Sequence, residues 1–179
     1  MNDPSGALVF RRADEADLDA IRSLVESAYR GDASRQGWTT EADLLDGQRI
    51  DIDGLRELVG NTDTHVLIGL REGNLTACCE LRRDCDTAYF GMFSVRPDGQ
   101  GAGVGNRVLA EAERIAHDEW RCRGMQMTVI DIRSELIAWY ERRGYRRTGV
   151  HRPFPYGDVR YGIPKRDDLR FEVLEKVFA

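Results

Sequence analysis

Residues 95–106 read VRPDGQGAGVGN, a glycine-rich turn between a predicted strand at 87–95 and a predicted helix that begins at Val104. Glycines at positions 99, 101, 103 and 105 remove alternate Cβ atoms, so a ligand can approach the backbone N–H groups closely. The start of a helix adds N–H groups without intrahelical partners and the positive end of the helix dipole. The pattern favours a cradle for phosphate oxygens over its alternative, a tight turn whose glycines only ease packing.

This turn does not match two common phosphate-binding motifs. A P-loop needs a lysine after its last glycine, and no lysine follows these glycines. The dinucleotide fingerprint GxGxxG fails as well, because Asn106 stands where the third glycine would be. A P-loop nucleotidase and a nucleotide-dependent oxidoreductase are therefore disfavoured.

Hydrophobic patterns predict strands and helices on both sides of the turn. Strands are predicted at 7–11, 64–70, 75–82, 87–95, 125–130 and 145–150. Helices are predicted after Asp14, over 52–59, from Val104 to Gly124 and over 134–142. The segment 171–178 fits either a strand or a helix. Early antiparallel hairpins followed by one strand–helix–strand unit predict an α/β (α+β) domain on a mixed sheet.

The region between the first two predicted helices is less regular. Residues 31–39 (GDASRQGWT) have the composition of a loop, and Thr40-Glu41-Ala42-Asp43 has the pattern of a capping box. A capping box begins a helix by pairing side chains with its first free N–H groups, so a short helix is predicted there.

Charge limits the classes of partner. The chain of 179 residues has 26 basic and 31 acidic side chains, a net charge of −5, which argues against non-specific binding to nucleic acid or anionic membranes. The first 80 residues contain 8 Arg against 16 acidic residues, whereas the remainder contains 18 basic and 15 acidic residues. A small polyanion is therefore expected to bind the second part of the chain.

Neither a metal site nor a membrane segment is expected. The four cysteines form no CxxC pair and the three histidines are scattered, so the cysteines are interpreted as free thiols in a reducing cytoplasm. No apolar stretch approaches the ~20 residues of a membrane helix, and the start MNDPSGALVF lacks the pattern of a signal peptide. A cytoplasmic protein is expected.

Two segments together resemble the GNAT family of N-acetyltransferases. Residues 100–105 (QGAGVG) match the family's Q/R-x-x-G-x-G/A motif. Residues 136–145 (LIAWYERRGY) are similar to its second block, a helix with a tyrosine that ends in a glycine and an aromatic residue. The resemblance covers the chain from about residue 7 to its end. It implies one domain over residues 1–179, with a mixed, mostly antiparallel sheet of six to seven strands flanked by helices. It also implies a strand at 171–178.

The resemblance implies acetyl-CoA as cosubstrate, with its pyrophosphate on the glycine turn. Gln100 stands where that family has Arg or Gln. The backbone amides implied to hold the pyrophosphate are those around Gly101, Gly103, Val104, Gly105 and Asn106.

The pantetheine arm is expected to lie alongside the end of the strand 87–95. Phe93, Ser94 and Val95 would pair with it as an added strand does, in a gap where strands 87–95 and 125–130 splay apart. Arg133 stands seven residues before Tyr140, where the family often has Asn. It either contacts the cofactor or is a solvated charge at the start of a helix.

The resemblance implies that Tyr140 is the acid that hydrogen-bonds or protonates the departing thiolate, although its helical spacing also fits a core residue. An acceptor ammonium with a pKa of ~10 must lose its proton before it attacks. Glu80, on the strand 75–82, is the best-placed carboxylate to accept that proton, and a solvated strand residue is the alternative. Asp131, His151 and a water chain are further candidates.

The acceptor is expected to lie against the N-terminal helices and the loop after residue 150. Aromatic, polar and charged residues are available there: Tyr29, Trp38, Thr39, Glu41, His151, Arg152, Phe154, Tyr156 and Arg160. The predicted function is acetyl-CoA-dependent N-acetylation of a small-molecule or amino-acid-like amine. A protein or peptide amine, and a non-catalytic acyl-CoA-binding module, are the alternatives. A homodimer is expected from the resemblance alone.

Overall fold

The computed structural model describes residues 7–37, 40–100 and 103–179. Its strands are β1 (Leu8–Arg12), β2 (Leu45–Asp46), β3 (Thr64–Arg71), β4 (Asn74–Asp84), β5 (Thr87–Val95), β6 (Gly124–Ile130), β7 (Arg146–Pro153), β8 (Ile163–Pro164) and β9 (Arg170–Val177). Its α-helices are α1 (Leu18–Tyr29), α2 (Gly31–Ser34), α3 (Ile52–Gly60), α4 (Val104–Arg114) and α5 (Ser134–Glu141). A π-helical turn over Ile115–Glu119 continues α4.

Seven of these strands form one mixed sheet in the order β1-β3-β4-β5-β6-β9-β7. β5 and β6 run parallel, and the other neighbouring strands are antiparallel. β2 and β8 pair separately. The expectation of a mixed, mostly antiparallel sheet of six to seven strands flanked by helices is confirmed. The segment 171–178 contributes to the strand β9, as the family resemblance implies.

Helices cover both faces of this sheet. On one face, Ile21 and Val25 of α1 and Leu55 of α3 pack with β3, and on the other Val108 of α4 and Ile137 of α5 are buried. Burying one such side chain stabilises the fold by about 1.5–3 kcal/mol relative to leaving it exposed. The apolar side chains on the two faces therefore hold the helices against the sheet. None of the helices in the described ranges combines the length and apolar character needed to cross a bilayer.

A bulge in β5 limits its pairing with β6. Met92 and Phe93 together oppose one residue of β4, Cys79, and Met92 has a φ of 50°. A bulge of this kind bends its strand. β5 pairs with β6 only over Thr87–Tyr89, and beyond Tyr89 the two strands separate. The expected gap between strands 87–95 and 125–130 is therefore present.

The helix predicted at Thr40–Asp43 is wrong. Residues 42–44 form a turn that leads directly into β2. Asp43, which would close the capping box, lies 2.6 Å from Arg35 instead, and the Glu41 side chain is buried against Arg30. The Thr40 hydroxyl accepts a hydrogen bond from the Ala42 N–H at 3.1 Å. This bond closes a turn, and no helix follows it directly. Tertiary ion pairs outweigh the local capping pattern here. The predicted loop at 31–39 likewise begins with the single helical turn α2.

Candidate active site

A cavity of about 200 Å³ opens where β5 and β6 separate. Its walls come from the ends of these two strands, from α1, from α5 and from the loops around Glu41 and Phe154. Tyr140 lines this cavity. The gap in the sheet and the predicted acceptor region thus form one continuous space.

Tyr140 is buried in the wall of the cavity. The rings of Trp139 and Tyr145 pack edge-on against its ring, with centroids 5.0 and 5.8 Å away. Burial raises the pKa of the Tyr140 hydroxyl well above its ordinary value. The hydroxyl therefore stays protonated at neutral pH and can donate a hydrogen bond. Tyr140 is at once a packed residue and a residue that faces the cavity, so the two interpretations of it are compatible.

The N-terminus of α4 has the properties expected of an anion site. Gly103 has a φ of 73°, a left-handed conformation that glycine adopts without strain, and a Cβ there would meet no atom within 4 Å. In the described residues, no side chain caps this end of α4. The N–H groups of Val104, Gly105 and Asn106 belong to the first helical turn, where donors lack intrahelical partners. Gly101 and Ala102 lie outside the described residues.

Other residues of the turn hold it in place. A Cβ at Gly105 would lie 3.1 Å from the Phe93 ring and 3.5 Å from the Trp139 ring, so glycine lets α4 approach β5 and α5 closely. The Gln100 side chain donates a hydrogen bond to the Val95 carbonyl oxygen at 3.1 Å. The packing interpretation of the glycines therefore applies to Gly105, whereas Gly103 faces open space.

Phe93, Ser94 and Val95 lie where β5 borders the gap. Their side chains are buried, and within the described ranges the backbone of β5 beyond Tyr89 pairs with no strand on the β6 side. The Tyr29 hydroxyl donates a hydrogen bond to the Phe93 carbonyl oxygen. An unpaired strand edge of this kind can bind an extended ligand through its main chain.

Glu80 lies on β4, opposite Gly91, and is not among the residues that line the cavity. Burial raises the pKa of its carboxyl group, while Arg82 and Arg49 lower it less strongly. A carboxylate with a raised pKa is a stronger base. Asp131 pairs with Arg170 at 2.5 Å and lies outside the cavity wall as well.

A buried ionic cluster forms one side of the cavity. The Glu41 carboxylate lies 2.6 Å from Arg30 Nη1 and 3.1 Å from Arg133 Nη1, and the three side chains are at most 10% exposed. Burial alone would raise the pKa of Glu41, but Arg133, Arg49 and Arg30 together lower it, so Glu41 is ionised. The interpretation of Arg133 as a solvated charge is wrong, because its side chain is buried against Glu41. Its predicted contact with the cofactor stays a prediction.

The predicted acceptor residues are only partly brought together. Tyr29, Glu41 and Phe154 line the cavity, whereas His151, Arg152, Tyr156 and Arg160 do not. His151 lies 3.1 Å from Glu172 on the neighbouring strand. Trp38 and Thr39 lie outside the described residues. Most other lining residues were not predicted from the sequence because no motif connects them, among them Arg30, Arg49, Tyr89 and Tyr161.

Comparisons with known proteins agree with this geometry. Residues 62–147 match the family model described as "Acetyltransferase (GNAT) domain". A 66-residue segment is 33% identical to blasticidin-S acetyltransferase from Streptomyces morookaense, and the match covers 37% of this chain and 47% of that protein. The match thus spans about half the length of this curated relative.

Two crystal structures share the fold over nearly the whole chain. Ribosomal-protein-S18-alanine N-acetyltransferase from Escherichia coli has a TM-score of 0.71 at 14% identity, covering 97% of this chain and 95% of that chain. The PaiA N-acetyltransferase of Thermoplasma acidophilum, solved with coenzyme A, has a TM-score of 0.67 at 15% identity, covering 96% and 99%. The fold is that of the N-acetyltransferases. The match of residues 62–147 to the GNAT acetyltransferase domain agrees with the resemblance drawn from the two sequence motifs.

We expect Glu41→Ala to destabilise the protein by about 3–5 kcal/mol, because it leaves Arg30 and Arg133 buried without their carboxylate. Urea unfolding followed by circular dichroism measures this loss. Asp43→Ala is the control, since that carboxylate pairs with Arg35 at the surface, where an ion pair contributes little. Equal losses in the two variants would contradict the buried cluster.

Proposed function

We propose that this protein is an acetyl-CoA-dependent N-acetyltransferase that transfers the acetyl group directly to the primary amine of a small-molecule or amino-acid-like acceptor. The observation that carries the proposal is the position of Tyr140 in a cavity that begins in the β5–β6 gap. The family match supports the reaction, and the neighbour solved with coenzyme A supports the cosubstrate. The proposal treats the chain as a single N-acetyltransferase domain that acts in the cytoplasm and can form a homodimer.

The residues proposed to hold acetyl-CoA lie at the end of β5 and the start of α4. The backbone N–H groups of Gly103, Val104, Gly105 and Asn106, together with that of Gly101, would bind the pyrophosphate. The unpaired edge at Phe93, Ser94 and Val95 would bind the pantetheine arm, with Gln100 holding the turn against Val95. The residues present fit the cosubstrate, because the open strand edge borders the cavity at Phe93 and the uncapped start of α4 packs at Gly105 against the same Phe93 ring. When bound, acetyl-CoA supplies a thioester whose carbonyl carbon an amine can attack.

Tyr140 is proposed to donate a hydrogen bond, and its proton, to the sulfur that departs. Its raised pKa keeps the hydroxyl protonated until charge develops on the sulfur. Glu80 is proposed to accept the proton of the acceptor amine through water, since its pKa is raised and it lies behind the cavity wall. Arg133 would contact the cofactor only from its position beside Glu41.

The size of the cavity favours a small acceptor over a protein or peptide amine. About 200 Å³ must accommodate the acceptor as well as the reacting end of the cosubstrate. The relative that acetylates blasticidin-S, a small molecule, supports the same choice. A non-catalytic acyl-CoA-binding module is less favoured, because such a module has no need of a tyrosine hydroxyl in its cavity.

Replacing Gly103 with valine is expected to weaken acetyl-CoA binding about tenfold or more, because a β-branched residue is strained at positive φ and its Cβ enters the anion space. Isothermal titration measures the affinity, and NAD is expected not to bind. Gly149→Val is the matched control, since Gly149 has a φ of 79°, open surroundings and a place on β7. An unchanged affinity of the Gly103 variant for acetyl-CoA would contradict the proposed pyrophosphate site at the start of α4.

Tyr140→Phe is expected to lower kcat about 100-fold with little change in the affinity for acetyl-CoA, because it removes only the proton donor. Thiol release across a panel of amines measures turnover. Tyr145→Phe serves as control, since the Tyr145 hydroxyl bonds to Glu113 and does not face the cavity. A wild-type rate in Tyr140→Phe would dismiss Tyr140 as the acid.

A base acts in its ionised form, so a rate that depends on Glu80 rises with pH through the pKa of that carboxyl, which burial raises above 4.5. Glu80→Gln is expected to remove this low-pH limb from the profile of kcat/KM. Glu57→Gln, an exposed change on α3, is expected to leave the profile unchanged. If the Glu80 variant retains the limb, a water chain or another group is the base.

A further inference from the structure

The ionisable side chains in the cavity wall have an excess of positive charge. Among the described residues, the guanidinium groups of Arg30, Arg49 and Arg133 line the cavity together with one carboxylate, that of Glu41. Even when Glu80 behind the wall is counted as ionised, one positive charge has no counterpart. The tyrosines of the wall do not compensate for it, since burial raises the pKa of Tyr29 to about 12 and keeps the Tyr140 hydroxyl neutral as well.

Arg49 is the guanidinium that the ionic cluster leaves without a partner carboxylate. Glu41 is already bonded to Arg30 and Arg133, and in the described part of the chain no Asp or Glu oxygen lies within 4.0 Å of the Arg49 side chain. The Arg49 guanidinium lies over the Tyr29 ring, 5.2 Å from its centroid. Burial alone would lower the pKa of Arg49, but Glu41 and other nearby groups raise it overall, so Arg49 stays charged.

The backbone holds Arg49 in place at the cavity. The Glu26 carboxylate of α1 accepts hydrogen bonds from the N–H groups of Arg49 and Ile50, at 2.6 and 3.1 Å. The segment that carries Arg49 is therefore anchored to the same helix that supplies Tyr29 to the cavity. A charged group held in this way pays little ordering cost when a ligand binds.

We infer that the acceptor amine also bears a carboxylate and that Arg49 binds this carboxylate. The inference rests on the proposed function and specifies its substrate class. A guanidinium and a carboxylate match in charge and geometry through paired hydrogen bonds. An acceptor with ammonium groups alone, such as a polyamine, meets a wall of its own charge and has no group for Arg49.

The test uses pairs of amines that differ only in the carboxylate: L-lysine and cadaverine, L-methionine and 3-(methylthio)propylamine, L-phenylalanine and 2-phenylethylamine. Thiol release from acetyl-CoA is measured for the wild type, Arg49→Met, Arg49→Lys and Arg56→Met. Arg49→Met keeps the apolar stem of the side chain, and Arg49→Lys keeps its charge without the paired geometry. Arg56→Met is the matched control, because Arg56 lies half-exposed on α3.

For the pair of amines that the wild type acetylates fastest, its kcat/KM is expected to be at least about tenfold higher for the carboxylated amine. Arg49→Met is expected to lower kcat/KM for that amine about 10- to 100-fold and to leave its carboxylate-free partner within about twofold. Arg49→Lys is expected to lie between the two, and Arg56→Met is expected to match the wild type. If Arg49→Met does not fold, the test uses Arg49→Lys and compares its kcat/KM for the carboxylated amine with its kcat/KM for the carboxylate-free partner.

A second readout does not depend on turnover. Titration of the coenzyme A-loaded protein with the N-acetyl derivatives of the same amines is expected to show binding of the carboxylated products to the wild type and its loss in Arg49→Met. No preference for the carboxylate, a preference that survives in Arg49→Met, or an equal loss for both members of a pair would overturn the inference and leave the proposed function in place. Failure of thiol release with every amine would instead count against the proposed function. In that case the titration with N-acetyl products tests the inference about Arg49. The inference is overturned if no carboxylated product binds.

Discussion

β5 and β6 pair over Thr87–Tyr89 and then separate, because the bulge at Met92 and Phe93 bends β5 away from its neighbour. The open strand edge exists only because of this separation, and so does the cavity beside it. The two helices that follow these strands then complete the site. α4 follows β5 and brings its uncapped first turn, whereas α5 follows β6 and brings Tyr140. Continued pairing would place protein where a thioester is proposed to lie.

The ionic cluster around Glu41 shows how the acceptor side is built. Arg30 ends α1, Glu41 lies in the turn before β2, and Arg133 precedes α5, so one carboxylate joins three separate parts of the chain. Burying such charges gains little net stability, because desolvation offsets much of their attraction. The cluster acts by positioning side chains. Glu41 pairs with the guanidinium groups of Arg30 and Arg133, and the third guanidinium, that of Arg49, faces the cavity.

Local patterns predict most of the fold and only part of the site. The predicted strands at 64–70, 75–82 and 125–130 agree with the structure within two residues, because each depends on its own apolar pattern. The capping box at Thr40–Asp43 failed because the partners of Glu41 and Asp43 lie outside that segment. Tyr140 was singled out through a family motif, since periodicity alone does not separate it from core residues. Arg49 belongs to no apolar pattern and to no family motif. Its position depends on contacts with α1, more than twenty residues earlier in the chain.

The close approach of α4 to α5 also gives the molecule an optical property. Trp139 stacks on Phe93 with centroids 5.8 Å apart, lies beside Gly105, and has the Arg143 guanidinium 3.5 Å from its ring centre. The same guanidinium donates a hydrogen bond to the Asn106 side chain at 2.6 Å, in the first turn of α4. The Trp139 indole lies between the first turn of α4 and the end of β5, so its surroundings depend on the positions of both. Binding of acetyl-CoA at the proposed site is therefore expected to change the fluorescence of Trp139.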